Sequence, residues 1–124
     1  MLIKNFYKIS NLQIIENIIQ AQVEINPNHD IFSGHFPEKP IVPGVMQQQI
    51  VKEILSKSLN KELETIKISN MKFLALIEPN KLNKLNVKIK ITDNDSDKIK
   101  IDAKIFNDKT IFFKIKAQYL QKQS

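Results

Sequence analysis

Chemistry in this chain gathers around His35. The protein has no cysteine and two histidines, so disulfides and thiolate chemistry drop out. Imidazole is then the side chain best suited to carry a proton near neutral pH. His35 stands in the run Gly34-His35-Phe36-Pro37-Glu38-Lys39-Pro40-Ile41-Val42-Pro43-Gly44-Val45. Both glycines of the chain, Gly34 and Gly44, and three of its five prolines fall within this run. Pro40 and Pro43 fix their own φ and push Lys39 and Val42 toward extended geometry, so no helix can form before Pro43. Pro43 suits the first turn of a helix, where a missing N–H costs nothing. The reading is a proline-stiffened loop that carries His35 and delivers Gly44 to a helix N-terminus. Such an end offers unpaired N–H groups and a positive dipole, able to polarise a carbonyl or hold an anion. Taken without its neighbours, His35 could equally anchor the loop.

The elements that must hold this loop follow from periodicity. Residues 45–59 read as one helix, with Met46, Ile50, Val51, Ile54 and Leu55 spread over a wide apolar arc, as burial against a sheet requires. Gln49 and Glu53 sit four apart on one edge of that arc. Before the loop, residues 5–9 suggest a short edge strand, and residues 12–25 a long β-branched strand closing at Asn26-Pro27. After the helix, residues 64–77 read as a strand, followed by three runs of period two. Leu85, Val87, Ile89 and Ile91 alternate with polar residues, as do Ile99, Ile101, Ala103 and Ile105, and then Ile111, Phe113, Ile115, Ala117 and Tyr119 alternate with Phe112, Lys114, Lys116 and Gln118. Residues 93–97 and 107–109 supply the turns. One apolar and one wet face per strand predicts an antiparallel sheet covered on one side. The fold class is therefore α+β, a single domain over residues 1–124 with the sheet wrapped around one long helix. A single curved sheet has open edges, which are normally paired or guarded, so a homodimer joined edge to edge is expected.

Bulk properties narrow the options. A chain of 124 residues is one domain with room for a core. No apolar run is long enough to span a bilayer, and the N-terminus lacks the apolar stretch of a signal peptide. A cytoplasmic protein without a membrane role is the plain expectation. The formal charge of +6 comes from lysines scattered along the strands and helix. A compositional bias explains it; an acidic partner would use it. Nothing resembles an arginine-rich patch or a base-stacking motif, so nucleic acid is not expected.

The segment from Gly34 to Val45, lying after a strand and before a helix, resembles the hotdog-fold 3-hydroxyacyl-[acyl-carrier-protein] dehydratases of fatty acid synthesis, and the order of elements fits over most of the chain. The resemblance implies elimination of water from a 3-hydroxyacyl thioester to give a trans-2-enoyl thioester. It makes His35 the catalytic base and acid, and Gly44 the donor of a backbone N–H to the thioester carbonyl. It implies substrate contacts from Phe36, Pro37, Lys39, Val45, Met46 and Ile50, with Lys39 near the tunnel mouth. Core packing explains Phe36, Met46 and Ile50 equally well. No cofactor is implied beyond the phosphopantetheine of acyl carrier protein. The implied partners are that carrier protein, the acyl thioester and a second copy of the chain, as a homodimer or a trimer of such dimers.

One position departs from the family pattern. The second catalytic group is a Glu or Asp on the central helix of the partner subunit, fourteen residues after the histidine, and counting from His35 gives Gln49. An amide can orient a hydroxyl or a water but cannot transfer a proton. Loss of general acid catalysis typically costs about a hundred- to ten-thousandfold. Glu53, one turn further on, is the nearest alternative acid, although a solvated or ion-paired role explains it too. Glu38 and Asp30 read as surface charges. Two other functions stay open, an acyl-thioester-binding subunit with little activity and a thioesterase relying on Glu53. Residues His29, Asp30 and His35 lack anything that enforces metal geometry, so no metal is expected. Residues 93–97 mimic the start of a calcium loop, but Lys98 and Lys104 stand where its Gly and Glu belong.

Overall fold

The computed structural model describes residues 5–33 and 40–122. Six strands, β1 (Tyr7–Ile15), β2 (Ile18–Ile25), β3 (Glu62–Phe73), β4 (Lys84–Asp95), β5 (Lys98–Phe106) and β6 (Ile111–Lys122), form one antiparallel sheet in the order β1-β2-β4-β5-β6-β3. One helix, α1 (Gly44–Leu59), packs its apolar side into the same core as the sheet. A 3-10 turn, Asp30–Phe32, precedes it. The α+β architecture is the one expected.

The period-two runs land as read except at two ends, where Ile91 is half-buried and Ile111 is 38% exposed. Leu85, Val87 and Ile89 of β4, Ile99 to Ile105 of β5 at alternate positions, and Phe113, Ile115, Ala117 and Tyr119 of β6 are all buried. They meet Met46, Ile50, Val51, Ile54 and Leu55 of α1 in one core. Asn60 ends the helix in the left-handed region at φ 53, and the N–H of Lys61 returns to Ser56 O at 3.2 Å, a helix stop of the αL kind. The acidic run at 93–97 is a hairpin, with Asp95 opposite Lys98 and Ser96 turning at φ 57.

Four boundaries differ from expectation. The long strand expected over 12–25 is a hairpin: β1 turns at Glu16-Asn17 and returns as β2, with Ile15 opposite Ile18. No glycine marks that turn. Glu16 takes φ 55, and tertiary contacts hold it there: Asn17 Nδ2 donates to Ile91 O at 3.1 Å, and Ile91 N–H donates to Asn17 O at 2.8 Å. The short strand expected over 5–9 is the first part of β1. The strand expected over 64–77 stops at Phe73, and the next residues serve the loop instead, with Ile77 O accepting from Val42 N–H at 3.0 Å. Pro43 caps α1 from outside, with φ −61 and ψ 148, and is not its first residue.

The two edges are β1 and β3. Edge strand β3 leaves Ile66, Ile68 and Phe73 exposed. Among the described residues no helix is long and apolar enough to cross a membrane.

Candidate active site

The site begins with the backbone around Pro43. Val42 is buried and tied to Ile77, and Pro43 follows with its ring-fixed φ. The carbonyl of Pro43 accepts from Met46 N–H at 3.0 Å and Gln47 N–H at 3.2 Å, which starts the helix. The N–H groups of Gly44 and Val45 precede the first bonded one and have no intrahelical acceptor. No side chain caps this end, and its first turn holds no acidic residue. Gly44 thus stands at the positive end of a 16-residue helix, with its N–H outside the intrahelical ladder.

Gly44 meets a close neighbour there. A Cβ on it would lie 2.6 Å from Cζ of Phe73 and 2.9 Å from Cε1. The Phe73 ring is stacked in turn on buried Phe113, with centroids 5.0 Å apart. Val45 beside it is 67% exposed, and Leu74 and Leu76 after Phe73 are also exposed. The N-terminus of α1 thus opens among uncovered apolar side chains, a setting that would strengthen a hydrogen bond to a bound carbonyl once water is excluded.

His35, Phe36, Pro37 and Lys39 lie outside the described residues. Met46 and Ile50 sit in the core at 5% and 0% exposure, where they pack under the sheet. Gln49 is half-buried on α1 and lines a hollow of about 380 Å³ with Lys52, Glu53, Ser56 and Lys57 on the same helix and Leu63 and Lys122 across from it. Five residues separate Gly44 from Gln49, which is about 7.5 Å of rise and about 140° of rotation on an α-helix. Within one chain the two do not converge. A wider hollow, about 510 Å³, lies over β2, β4 and the 107–109 turn and shares no residue with α1.

Glu53 shares the hollow with Gln49, and the hydroxyl of Tyr7 donates to its Oε1. Partial burial holds its pKa above the ordinary carboxylate value, with Lys57 pulling the other way. A raised carboxyl is what a general acid needs, yet its bond to Tyr7 gives it a structural role as well. His29 is a cap: its Nδ1 accepts from Ile31 N–H at 3.0 Å, and its ring meets Phe6 edge-on at 5.4 Å.

Two residues escaped the sequence reading. Phe73 looked like an ordinary strand aromatic, because nothing local ties it to Gly44. Gln47 is 3% exposed; its place three before Ile50 and four before Val51 puts it inside the apolar arc, which was a readable signal.

Comparison with known proteins places this geometry. A family model described as ApeI-like, ApeI dehydratase, matches residues 11–115. The chain belongs to the ApeI-like dehydratase family. It is also 33% identical to a 3-hydroxyacyl-[acyl-carrier-protein] dehydratase FabZ of Rickettsia bellii, over 50% of this chain and 57% of that protein. A FabZ of Rickettsia felis is 35% identical over 49% of this chain and 48% of its own. The chain thus spans about half the length of the curated relatives it matches. Among solved structures, the dehydratase heterocomplex ApeI:P from Xenorhabdus doucetiae superposes with a TM-score of 0.69 at 24% identity, covering 87% of this chain and 91% of that one. A putative thioesterase from Lactococcus lactis gives 0.67 at 14% identity, covering 91% of each. At those identities the superpositions speak for the fold, which is the hotdog fold.

Proposed function

We propose that this ApeI-like family member eliminates water from a 3-hydroxyacyl thioester, forming the trans-2-enoyl thioester. The observation that carries the reading is the uncapped helix end at Gly44, which follows His35 by nine positions in the sequence. His35 takes a proton from Cα. Negative charge then builds on the thioester oxygen, where the Gly44 N–H meets it; donors of this kind are worth about 3–4 kcal/mol. The C3–O bond breaks and the hydroxyl leaves as water after gaining a proton. His35 can return the proton it took, and Gln49 orients the leaving oxygen by hydrogen bonding. The substrate arrives on the phosphopantetheine of an acyl carrier protein, and no further cofactor is needed.

Because Gly44 and Gln49 do not converge within one chain, a complete site draws its loop from one protomer and its helix side chain from another. The exposed apolar residues of edge strand β3 support a homodimer, alone or as a trimer of dimers. A second reading is favoured by Gln49 itself: an amide at that place suits an acyl-thioester-binding subunit of low activity, acting beside a competent partner chain.

The deciding experiment follows loss of enoyl absorbance as a carrier-protein-linked 2-enoyl thioester is hydrated, for wild type and His35→Ala. Turnover that vanishes in His35→Ala is expected. Equal rates in the two proteins sink the mechanism, and tight thioester binding without turnover moves the assignment to the binding subunit.

A further inference from the structure

We propose that Gln47 is a positioning residue that fixes the aim of the Gly44 N–H. The proposal deepens the reading above and rests on it for the activity part. Gln47 grips two consecutive carbonyls of the loop: its backbone N–H donates to Pro43 O at 3.2 Å, and its side-chain Nε2 donates to Val42 O at 3.3 Å. The Pro43 carbonyl belongs to the same peptide plane as the Gly44 N–H. That peptide is trans, so holding its C=O toward the helix turns its N–H outward from the helix end. Val42 is tied on its other side to Ile77. The peptide on each side of Pro43 is therefore held by Gln47, and the only joint left between them is a proline with little freedom to turn.

The amide is also costly where it stands. Gln47 is the one buried polar side chain among the described residues, and its Oε1 has no hydrogen-bond partner. A buried acceptor left unsatisfied opposes folding. Methionine has nearly the same shape and would fill the same space without that cost. Packing alone thus does not account for the amide, whereas its grip on Val42 O beside the proposed oxyanion donor does.

The composition of the chain makes a direct test possible. It has two glycines, preceded by Ser33 and Pro43. Labelling proline carbonyls with ¹³C and glycine nitrogens with ¹⁵N therefore selects Gly44 alone in a carbonyl-filtered amide spectrum. Gln47→Met is compared with wild type and with Ile54→Val, a core change of modest cost elsewhere on α1. The Gly44 resonance should move in Gln47→Met and stay in Ile54→Val. With an active wild type, kcat should fall by ~10- to 100-fold in Gln47→Met, as misplacement by about an ångström can do, while KM changes less than about threefold. Gln47→Asn keeps the amide but shortens its reach to Val42 O, and should move the same resonance. An unmoved Gly44 peak in Gln47→Met, or a kcat that falls no more than in Ile54→Val, overturns the proposal. So does failure of both Gln47 variants to fold, which would make the amide a folding determinant. Should the wild type show no turnover, the dehydratase reading fails on its own, and the Gly44 resonance still decides whether Gln47 sets that peptide.

Discussion

Replacing Gly44 by alanine sets two opposed effects against each other, and the structure says which wins. Gly44 does not have positive φ, so alanine fits its backbone. The shorter list of unfolded conformations should then stabilise the protein by about 0.4–1 kcal/mol. Against this, the new Cβ would stand 2.6 Å from Phe73 Cζ, so the ring must swing away. Phe73 is 50% exposed, which leaves it room to move and caps the loss. What it gives up is its stacking on Phe113 and part of its remaining burial. The aromatic pair accounts for about 0.5–1.5 kcal/mol, and the lost burial adds some tenths. The sum is about 1–2 kcal/mol, so Gly44→Ala should destabilise by about 0.5–1 kcal/mol net. Removing the obstacle reverses the sign: in a Phe73→Ala background the same substitution should stabilise by about 0.4–1 kcal/mol. Urea unfolding of wild type, both single variants and the double variant gives the coupling energy directly, expected at about 1–2 kcal/mol. If Gly44→Ala has the same sign in both backgrounds, Phe73 does not close over the helix end and the reasoning fails.

Other perturbations test other links. Register places Lys88, Lys104, Lys114 and Lys72 directly opposite one another across four strands, and like charges so placed repel by roughly 0.2–1 kcal/mol per pair. Lys104→Glu turns two repulsions into attractions but gives up a cation–π contact with Phe106 at 4.7 Å, worth about 0.5 kcal/mol at an exposed site. The melting temperature should still rise by roughly 2–5 °C and the gain should shrink in 0.5 M salt, roughly a 4 Å screening length; no rise in low salt would mean the lysines already evade each other. The carboxyl of Glu53 is held above its ordinary value by burial, so the folded state binds the proton more tightly than the unfolded one. Its contribution to stability is complete below the unfolded pKa and is lost as pH rises through the raised folded value. Glu53→Gln should flatten that part of the stability–pH curve, and an unchanged slope between pH 4 and 7 would contradict the assignment. Gln49→Glu should raise enoyl-thioester hydration, toward the roughly 10²–10⁴-fold that general acid catalysis supplies; a loss of rate would show that the amide is itself the working group.

The sequence disclosed the parts of this protein that depend on local chemistry. Alternation of isoleucine and lysine in β4, β5 and β6 could be read because each strand has one buried face, and the proline pair before Gly44 could be read because proline dictates φ wherever it stands. The β1–β2 hairpin was hidden because its turn uses Glu16 and Asn17, held by bonds to Ile91 that come from 74 residues away. The end of β3 was hidden for the same reason: Phe73 to Ile77 remain apolar, yet what that stretch does is set by Gly44, Val42 and Phe113. At the site, residue types pointed to Gly44 as a donor without indicating what keeps it aimed. In our proposal that falls to Gln47, whose burial at 3% exposure depends on packing that local residue types do not display.

The proposed mechanism divides two tasks that a dehydratase must join. In the proposed mechanism, stabilising the enolate-like oxygen falls to the N-terminal turn of α1, where Pro43, Gln47 and Phe73 surround Gly44. In the same mechanism the leaving hydroxyl is oriented by Gln49, further along α1 on a face turned about 140° away. A change of side chain at Gln49 therefore need not disturb the Gly44 turn, since the two lie about 7.5 Å and about 140° apart along α1. Substitution of a carboxylate by an amide there would remove a proton donor while leaving the thioester carbonyl site whole. The consequence is specific: binding of an enoyl thioester should shift the Gly44 resonance in wild type and Gln49→Glu alike, even if their turnover differs by orders of magnitude. Were the Gly44 shift to appear only in Gln49→Glu, the two tasks would be coupled through a contact between chains, and the independence argued from helix geometry would be wrong.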